Sequence, residues 1–490
     1  MRRHPADLIR TAAAKLFARP GRPRRWPVAG WLGLAMALAS AAAVADDAEP
    51  RLVGTVDVAP AWAGHPVGFA LVTAGERQYV AFYAADRHLT VAARTLDRDA
   101  WTIVRLPTAQ DGPPAGPGQT SAIVGWDSHN SIEMAVDAEG QVHLAGNMHD
   151  NGLTYYRTRV PGEVETFVQV PAMTGHDENR CTYPLFLTRA DGSLVFRYRS
   201  GESGDGDVLF NIYDPATGAW RRLFAGSLFD GERARNAYPL PPVRGPDGCY
   251  HVSWVWRETA DCVTNHDLCH ARSRDLVAWE TAGGRPLGLP IRLATPGVTV
   301  DPVPIGGGIL NGTGQVGFDA PGRPVIAYFK YDVLGVSQAY VARFERDAWR
   351  IVQLSDWDRR IEFAGPGSLP KFEIGLTAVR PSGPGTLRLG FWHPTDGSGE
   401  WVLDEATLGV LRREPPVRRI PRGLGRVESR FPGMQVRFAE DSGTPPPGRR
   451  FVLRWETLPA NRDQPRRKPW PAPSMLRVAE VRDPPPDGVR

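Results

Sequence analysis

One turn-and-strand layout recurs along this sequence and limits what the chain can fold into. Short β-branched and aromatic runs follow turns that hold an Asp and a Gly, as in AVDAEGQVHLAG, TRADGSLVFRYRSG and GFDAPGRPVIAYFKYD. The turns near Asp137, Asp191, Asp247 and Asp319 are 54, 56 and 72 residues apart. Units of this length with about four short strands are typical of β-propeller blades. The sequence therefore predicts an all-β fold, a single-domain seven-bladed β-propeller over residues 46–460. A pair of β-sandwiches or a β-helix is the alternative.

The two ends of the chain differ in composition from this body. Residues 1–45 combine a long basic stretch with an apolar run, WLGLAMALASAAAV, that leads into Ala43-Val44-Ala45. The run is short for a membrane span and the small residues fit a cleavage site, which predicts a signal peptide. An uncleaved N-terminal anchor is the alternative. Residues 461–490 are rich in Pro, Arg and Asp, which predicts a solvated C-terminal tail.

The net charge of the chain changes once the leader is set aside. The formal net charge of the whole sequence is +4, but residues 1–45 hold 8 basic residues and one acid. The remainder has 50 basic and 53 acidic residues, a net charge of −3. Overall charge therefore gives no reason to expect nucleic acid binding, and an anionic ligand requires a local basic cleft.

Histidines are concentrated in one stretch, although the chain has only 11 of them. His129, His143 and His149 fall within 21 positions around a predicted hairpin. Imidazole exchanges protons near neutral pH, so two of these groups on neighbouring strands suit acid–base catalysis. His143 alternates with Val142 and Leu144, which favours a strand residue without a catalytic role.

A resemblance to a known family rests on four blocks of sequence. They are GWDSHNSIEMAVDAEGQVHLAGNMHDNGLTYYRTR, CTYPLFLTRADGSLVFRYRSGESGDGD, TNHDLCHARS and ILNGTGQVGFDAPGRPVIAYFKYD. Together they resemble the BNR-4-type seven-bladed propellers, a group that includes ulvan lyases of polysaccharide lyase families 24 and 25. The resemblance covers roughly residues 55 to 410. The chain departs from the family pattern at His270, where an aromatic residue is expected.

The resemblance implies a set of site residues for β-elimination. His129 of the H-N pair and Tyr183 of Y-P-x-F are expected to transfer protons, with the choice of base and acid left open. His149 and Arg199 are expected to hold and neutralise a uronate carboxylate, and Asn130 to bind substrate. This set suits the chemistry, because elimination needs a base, an acid and a cation at the carboxylate.

Strand alternation alone does not separate Arg199 from Arg197, since both lie on one face of an ideal strand. The family match selects Arg199. Lys330 is a further candidate for substrate binding, because it follows a Gly-rich stretch with Asn311 and Gln315 that suits sugar hydroxyls or sulfate. A blade turn with a solvated lysine is the alternative for this block.

A cluster of Cys and His residues predicts a structural zinc site. The proposed ligands are His251, Cys262, His266 and Cys269, all within 19 residues. Thiolates and imidazoles at this spacing suit tetrahedral zinc, and the resembling lyases hold a structural metal in a comparable loop. A disulfide or free buried thiols are the alternatives, because the four cysteines allow three pairings.

These observations lead to a functional hypothesis. The sequence predicts an exported polysaccharide lyase, periplasmic or secreted, that cleaves a rhamnose–uronate linkage by β-elimination. Its partner would be an acidic polysaccharide such as ulvan, with no nucleic acid, no membrane after leader cleavage, no organic cofactor and a monomeric state. The alternatives are a rhamnosidase-like hydrolase on the same scaffold and a glycan-binding propeller without catalytic activity.

Overall fold

The computed structural model describes residues 49–367, 369 and 373–484. The predicted signal peptide lies outside these residues. Within them the chain forms 32 β-strands and three short 3-10 helices, Val164–Thr166, Cys262–Thr264 and Arg422–Gly425. The prediction of an all-β fold is confirmed. None of these described helices is long and apolar enough to cross a membrane.

The first half of the described chain holds an exposed strand and three antiparallel sheets. The first strand is β1 (Arg51–Ala61). One sheet follows in chain order: β2 (Ala70–Ala74), β3 (Arg77–Tyr83), β4 (Leu89–Thr95) and β5 (Thr102–Arg105). The next strands are β6 (Ile132–Val136), β7 (Val142–Gly146), β8 (His149–Asn151), β9 (Tyr155–Thr158) and β10 (Phe167–Gln169). The third group is β11 (Cys181–Thr188), β12 (Leu194–Glu202), β13 (Asp205–Asp214) and β14 (Ala219–Arg222). Strand β8 leaves the second sheet and pairs with β11 of the third.

The second half adds four more sheets in the same manner. The fourth contains β15 (Asn236–Pro239), β16 (Val243–Arg244), β17 (Tyr250–Arg257), β18 (Asn265–Ser273), β19 (Trp279–Glu280) and β20 (Thr299–Asp301). The fifth contains β21 (Gln315–Phe318), β22 (Pro324–Tyr331), β23 (Ser337–Glu345) and β24 (Ala348–Gln353). The sixth contains β25 (Gly375–Leu376), β26 (Arg380–Pro381), β27 (Thr386–His393), β28 (Gly397–Asp404) and β29 (Val410–Glu414). The last strands are β30 (Gln435–Glu440), β31 (Arg450–Thr457) and β32 (Ser474–Arg482).

The recurrent Asp-Gly turns join the first two long strands of a sheet. In the β6–β7 turn the Asp137 carboxylate accepts backbone N–H bonds from Glu139 and Gln141 at 3.0 and 2.8 Å. Gly140 completes this turn with φ +83°, a value that suits glycine. The corresponding turns at Asp191, Asp247 and Asp319 connect β11 to β12, β16 to β17 and β21 to β22. The local chemistry of the turn therefore sets the repeat.

The closing sheet joins the two ends of the described chain, in the order β1-β32-β31-β30. Val478 of β32 pairs with Val56 of β1 on one side and with Leu453 of β31 on the other. The predicted boundary at residue 461 is therefore wrong, because β32 is a buried inner strand and not part of a solvated tail. The Pro-rich approach conceals the strand, and its partner β1 comes from the far end of the sequence.

Consecutive sheets pack against one another through their apolar faces. The contacts run from β30 and β31 to β2, then from β2 to β6, β6 to β11, β13 to β15, β17 to β21, and β21 to β26. Phe69 stacks on Trp455 with ring centroids 4.7 Å apart and links the first sheet to the closing one. This arrangement is a β-propeller, as predicted. The seven sheets of the described chain agree with seven blades, a number that stays a prediction.

Candidate active site

The loop before β6 presents His129 in a fixed orientation. The Asp127 side chain accepts the His129 backbone N–H at 2.9 Å, which closes a short turn. Tyr83 is fully buried and donates its hydroxyl to the Asn130 carbonyl at 2.8 Å. Asp463 accepts bonds from the Ser128 backbone N–H and hydroxyl at 3.0 and 2.8 Å. The loop is thus held from the core on one side and from residue 463 on the other.

His149 begins β8 and is aimed by the two residues beside it in space. Asp150 has φ +60° and its backbone N–H donates to the Thr182 hydroxyl at 2.9 Å. Arg180 binds the Asp150 carboxylate through two hydrogen bonds of 2.8 Å each. Register pairs Thr182 of β11 with His149. The backbone of His149 therefore lies opposite Thr182, the residue before Tyr183.

His129 and His149 form a stacked pair with ring centroids 4.0 Å apart. One carboxylate joins them: Asp127 accepts from His129 Nδ1 at 2.7 Å and from His149 Nδ1 through its other oxygen. Burial alone would raise the pKa of Asp127, but the hydrogen bonds from the two imidazoles outweigh it and hold that pKa well below its usual range. Asp127 therefore stays ionised and keeps the proton of each neutral ring on Nδ1. Each Nε2 is then left with a lone pair.

Tyr183 occupies a backbone conformation that non-glycine residues rarely adopt. Its φ is +56°, at an irregularity in the β11–β12 pairing between Thr182 and Leu185. Such conformations cost of order 1–3 kcal/mol and are frequent at active sites. The Tyr183 ring lies 5.8 Å from the His129 ring, nearly edge to face. Burial raises the pKa of Tyr183, so the phenol stays protonated at neutral pH.

Three buried arginines surround Tyr183. Arg199 lies over its ring, with Cζ 5.1 Å from the centroid, and donates to the Thr182 hydroxyl at 3.3 Å. Arg257 lies 5.2 Å over Tyr238, whose ring is 6.4 Å from that of Tyr183. Arg197 donates to two backbone carbonyls at 3.4 Å.

Among the described residues, no carboxylate is hydrogen-bonded to any of these three guanidinium groups, although burial lowers the pKa of Arg197 and the nearby Glu133 carboxyl opposes that shift. Arg197, Arg199 and Arg257 are 7%, 4% and 8% exposed. Their hydrogen-bond acceptors are carbonyls and one hydroxyl, and none forms an ion pair within the described part of the chain. Buried cations are normally paired, because leaving one unpaired costs several kcal/mol. The arrangement therefore suits an incoming carboxylate.

Not every predicted site residue lies in this group. His129, Asn130, His149, Tyr183 and Arg199 are brought together. Lys330 lies apart from this group. Its ammonium, on the fifth sheet, pairs with Asp301 of the fourth sheet at 2.5 Å, and its contacts among the described residues do not include the histidines.

The four predicted zinc ligands are not brought together either. On the β17–β18 hairpin His251 pairs with Arg272, whereas His266 pairs with Trp256, five residues along the strand or about 16 Å away. His251 is bonded to His270 at 3.1 Å. His266 binds Glu258 and Asp267 instead, and Cys262 and Cys269 are free buried thiols.

These residues therefore do not fit the predicted zinc site. Within the described residues, the group with ligand atoms mutually within 4.8 Å consists of Asp127, His129 and His149. Its carboxylate bonds both imidazoles, an arrangement that also suits acid–base chemistry.

His143 is a structural residue, as the strand pattern favours. It is fully buried and bonds Tyr155 through Nδ1 at 2.7 Å and Asp137 through Nε2 at 3.0 Å. Burial lowers the pKa of His143, so the neutral ring is the stable form.

Comparison with known proteins supports the fold around this site. The model of the BNR repeat-containing family matches residues 77–357. The chain belongs to the BNR repeat-containing family. The resemblance seen in the sequence is confirmed at that level. No curated protein matches this BNR repeat-containing protein.

Two solved structures resemble this BNR repeat-containing protein over most of their length. The polysaccharide lyase Uly1 is 14% identical with a TM-score of 0.58, and the match covers 88% of this chain and 99% of Uly1. A PL25 ulvan lyase bound to -[GlcA(1-4)Rha3S]- is 13% identical with a TM-score of 0.56, covering 87% and 95%. At these identities the likeness shows the fold.

Several residues of the site are not evident from sequence reasoning. Asp127 stands two positions before His129, and its role depends on His149, which is 22 positions away. Arg257 and Tyr238 come from the fourth sheet. Asp463 comes from the predicted tail, and its carboxylate lies 3.6 Å from His129 Nδ1. Only Asp127 had a local signal, the spacing of W-D-S-H, which suits a turn.

Proposed function

We propose that this BNR repeat-containing protein is a polysaccharide lyase that cleaves the linkage to a uronic acid by β-elimination. A sulfated rhamnose–uronate polymer of the ulvan type is the proposed substrate. The observation that carries the proposal is the set of buried arginines around Tyr183, which form no ion pair within the described residues, next to an oriented histidine pair. The two lyases of similar fold support the same chemistry.

Elimination at a uronate is limited by the weak acidity of the C5 proton. An ionised carboxylate on C5 opposes the build-up of negative charge when that proton leaves. Arg199 would bind the carboxylate through two parallel N–H bonds and stabilise the developing charge. Arg257 and Arg197 add positive charge, although the Glu133 carboxyl lies close enough to Arg197 to oppose the lowering of its pKa by burial.

His129 is the proposed base and Tyr183 the proposed acid. Asp127 holds the proton of His129 on Nδ1, so the Nε2 lone pair is free to accept the C5 proton. The C5–H electron pair becomes the C4–C5 double bond and the C4–O4 bond breaks. Tyr183 is protonated at neutral pH and donates its proton to the departing O4. A proton passing from His129 to the tyrosinate through water restores both groups.

His149 has a supporting role in this scheme. It stacks on His129 and shares Asp127 with it, so it fixes the carboxylate between the two rings. Asn130 anchors the loop through its carbonyl. A polysaccharide substrate is too large to enter a cell intact, so an exported enzyme is part of the proposal.

The experiment is an elimination assay with a variant that keeps the shape of the site. Purified protein is incubated with ulvan and the ultraviolet absorbance of the unsaturated uronate is followed. Tyr183→Phe should lower kcat by about 10²- to 10⁴-fold, the usual contribution of a general acid.

Tyr331→Phe is the matched control, since the hydroxyl of this β22 residue donates to the Ile361 backbone carbonyl and contacts none of the proposed catalytic groups in the described structure. It should keep the wild-type rate. Equal rates for wild type and Tyr183→Phe would contradict the proposed role of Tyr183, and no absorbance with any uronate polymer would contradict the proposed reaction.

A further inference from the structure

The segment from Arg462 to Trp470 runs alongside the candidate active site. Its second residue, Asp463, holds the Ser128 loop and lies 3.6 Å from His129 Nδ1. Its last residue, Trp470, packs edge to face on Trp126 with centroids 5.3 Å apart. Trp126 directly precedes Asp127. Both ends of the segment therefore contact the loop that carries the proposed base.

A cavity of about 400 Å³ opens beside this segment. Phe431 and Leu458 form part of its apolar wall, and Trp470 contributes an indole. Trp62 packs on Trp470 and Trp126 at 5.5 and 5.6 Å, so the indole is held by a rigid aromatic cluster. Aromatic walls of this kind suit the apolar face of a sugar ring.

Positive charge lines the same cavity without an acidic partner. Arg466 and Arg467 lie in its wall, and the Lys468 ammonium lies 5.0 Å over the Trp470 ring. None of the three forms an ion pair within the described residues. Arg466 donates to the Pro459 carbonyl, while its Nε is buried with no hydrogen-bond partner.

Several arginines in and beside the closing sheet are neutralised, although Arg437 of β30 forms no ion pair within the described residues. Arg449 binds Glu480 through two bonds of 3.0 and 2.7 Å, and Arg450 binds Glu440. An anion that enters the cavity would supply the missing acceptors.

We propose that this cavity is a subsite for a sulfate ester on a sugar near the cleaved bond. The inference rests on the proposed function, which assigns the uronate carboxylate to the buried arginines around Tyr183. In an alternating polymer the neighbouring sugar is the rhamnose that carries sulfate. Arg467 and Lys468 are exposed, which allows a sulfate to stay partly hydrated while it is bound.

The test measures binding rather than turnover. Tyr183→Phe provides a background in which the probe is consumed about a hundredfold or more slowly than by wild type. Three probes are titrated by calorimetry: an oligosaccharide of glucuronate and rhamnose 3-sulfate, the same chain after desulfation, and the same chain after carboxyl reduction. Arg466→Gln/Arg467→Gln should weaken binding of both sulfated probes by about tenfold or more, and leave the desulfated probe unchanged.

Arg418→Gln/Arg419→Gln is the matched control, because it removes two exposed charges from the loop between β29 and β30, outside the cavity wall. It should bind all three probes like the background. If Arg466→Gln disturbs folding, Arg467→Gln/Lys468→Gln tests the same cavity with exposed positions only.

Unchanged affinity for the sulfated probes would overturn the subsite, as would an equal loss for the desulfated probe. The binding result does not depend on elimination. A sulfate-specific loss in a protein that yields no unsaturated product would keep the subsite and refute the lyase.

Discussion

Asp127→Asn tests the geometry on which the proposed mechanism depends. The carboxylate accepts a hydrogen bond from each imidazole, but an amide offers one accepting oxygen and one donating NH2 group. One imidazole must then accept through Nδ1 and carry its proton on Nε2. If that ring is His129, its base lone pair points away from the substrate.

The size of the effect follows from the two hydrogen bonds. A hydrogen bond to a charged group contributes roughly 1.5–3 kcal/mol, so replacing both by bonds to a neutral amide removes less than about 3–6 kcal/mol. The Asp127 side chain is 28% exposed, so solvent screening favours the lower part of this range. At about 1.4 kcal/mol per tenfold, we expect kcat to fall by roughly 10²- to 10³-fold.

The assay is the initial rate of unsaturated uronate formation at saturating substrate. Asp137→Asn is the matched control, since Asp137 bonds the buried His143 in the same manner but outside the site. It should lower stability and leave kcat near the wild-type value. An Asp127→Asn enzyme within threefold of wild type, or an Asp137→Asn enzyme equally impaired, would refute this reasoning.

The same variant has a signature in stability. Because the folded-state pKa of Asp127 is lowered, its contribution is present above the unfolded value of about 3.9 and is lost as pH falls through the folded value. The melting temperatures of wild type and Asp127→Asn should therefore differ at neutral pH and converge in acid. A gap that widens in acid would contradict the ionised state of Asp127.

Three further outcomes are expected. Arg199→Gln should lower kcat/KM by about 10²-fold or more, because an unmatched uronate carboxylate costs roughly 2–5 kcal/mol. The control Arg189→Gln, in the β11–β12 turn, should leave kcat/KM unchanged. Equal effects of the two substitutions would contradict a role for Arg199. Burial raises the pKa of Glu133 to about 7, although Arg197 opposes it, so wild-type stability falls as pH rises from about 4.5 to 7. The free energy of unfolding of Glu133→Gln should then equal that of wild type at pH 4 and exceed it at pH 8 by up to about 3 kcal/mol. A variant less stable than wild type at pH 8 would contradict the raised pKa of Glu133. Added Zn²⁺ should inhibit elimination by binding to Asp127, His129 and His149, and a chelator should leave the rate of the untreated enzyme unchanged. The elimination assay measures both effects. Activation by zinc would contradict the proposed role of these residues.

Much of the fold could be predicted from the sequence because its determinants are local. The Asp137 turn is closed by hydrogen bonds to residues within four positions, and a similar Asp-Gly signal appears at Asp191, Asp247 and Asp319. Strand β32 and its place in the closing sheet could not be predicted in this way. Its pairing with β1 joins residues more than 400 positions apart, and no local pattern records it.

The site divides in the same way. His129, His149 and Tyr183 lie near one another in the sequence, so β6, β8 and β11 bring them together in adjacent sheets. Arg257 and Asp463 reach the site from distant strands and loops, and sequence spacing carries no signal for them. The zinc prediction is wrong because residues that are close in sequence are not close in space here. His251 and His266 lie toward opposite ends of one hairpin.

The most direct test of the proposed reaction is the mass of the oligosaccharides released from ulvan. β-Elimination leaves a double bond in the new non-reducing uronate, so we expect fragments whose masses together equal that of the parent chain. Hydrolysis would add one water to each cleavage. Products that carry this water, or no products at all, would contradict the account.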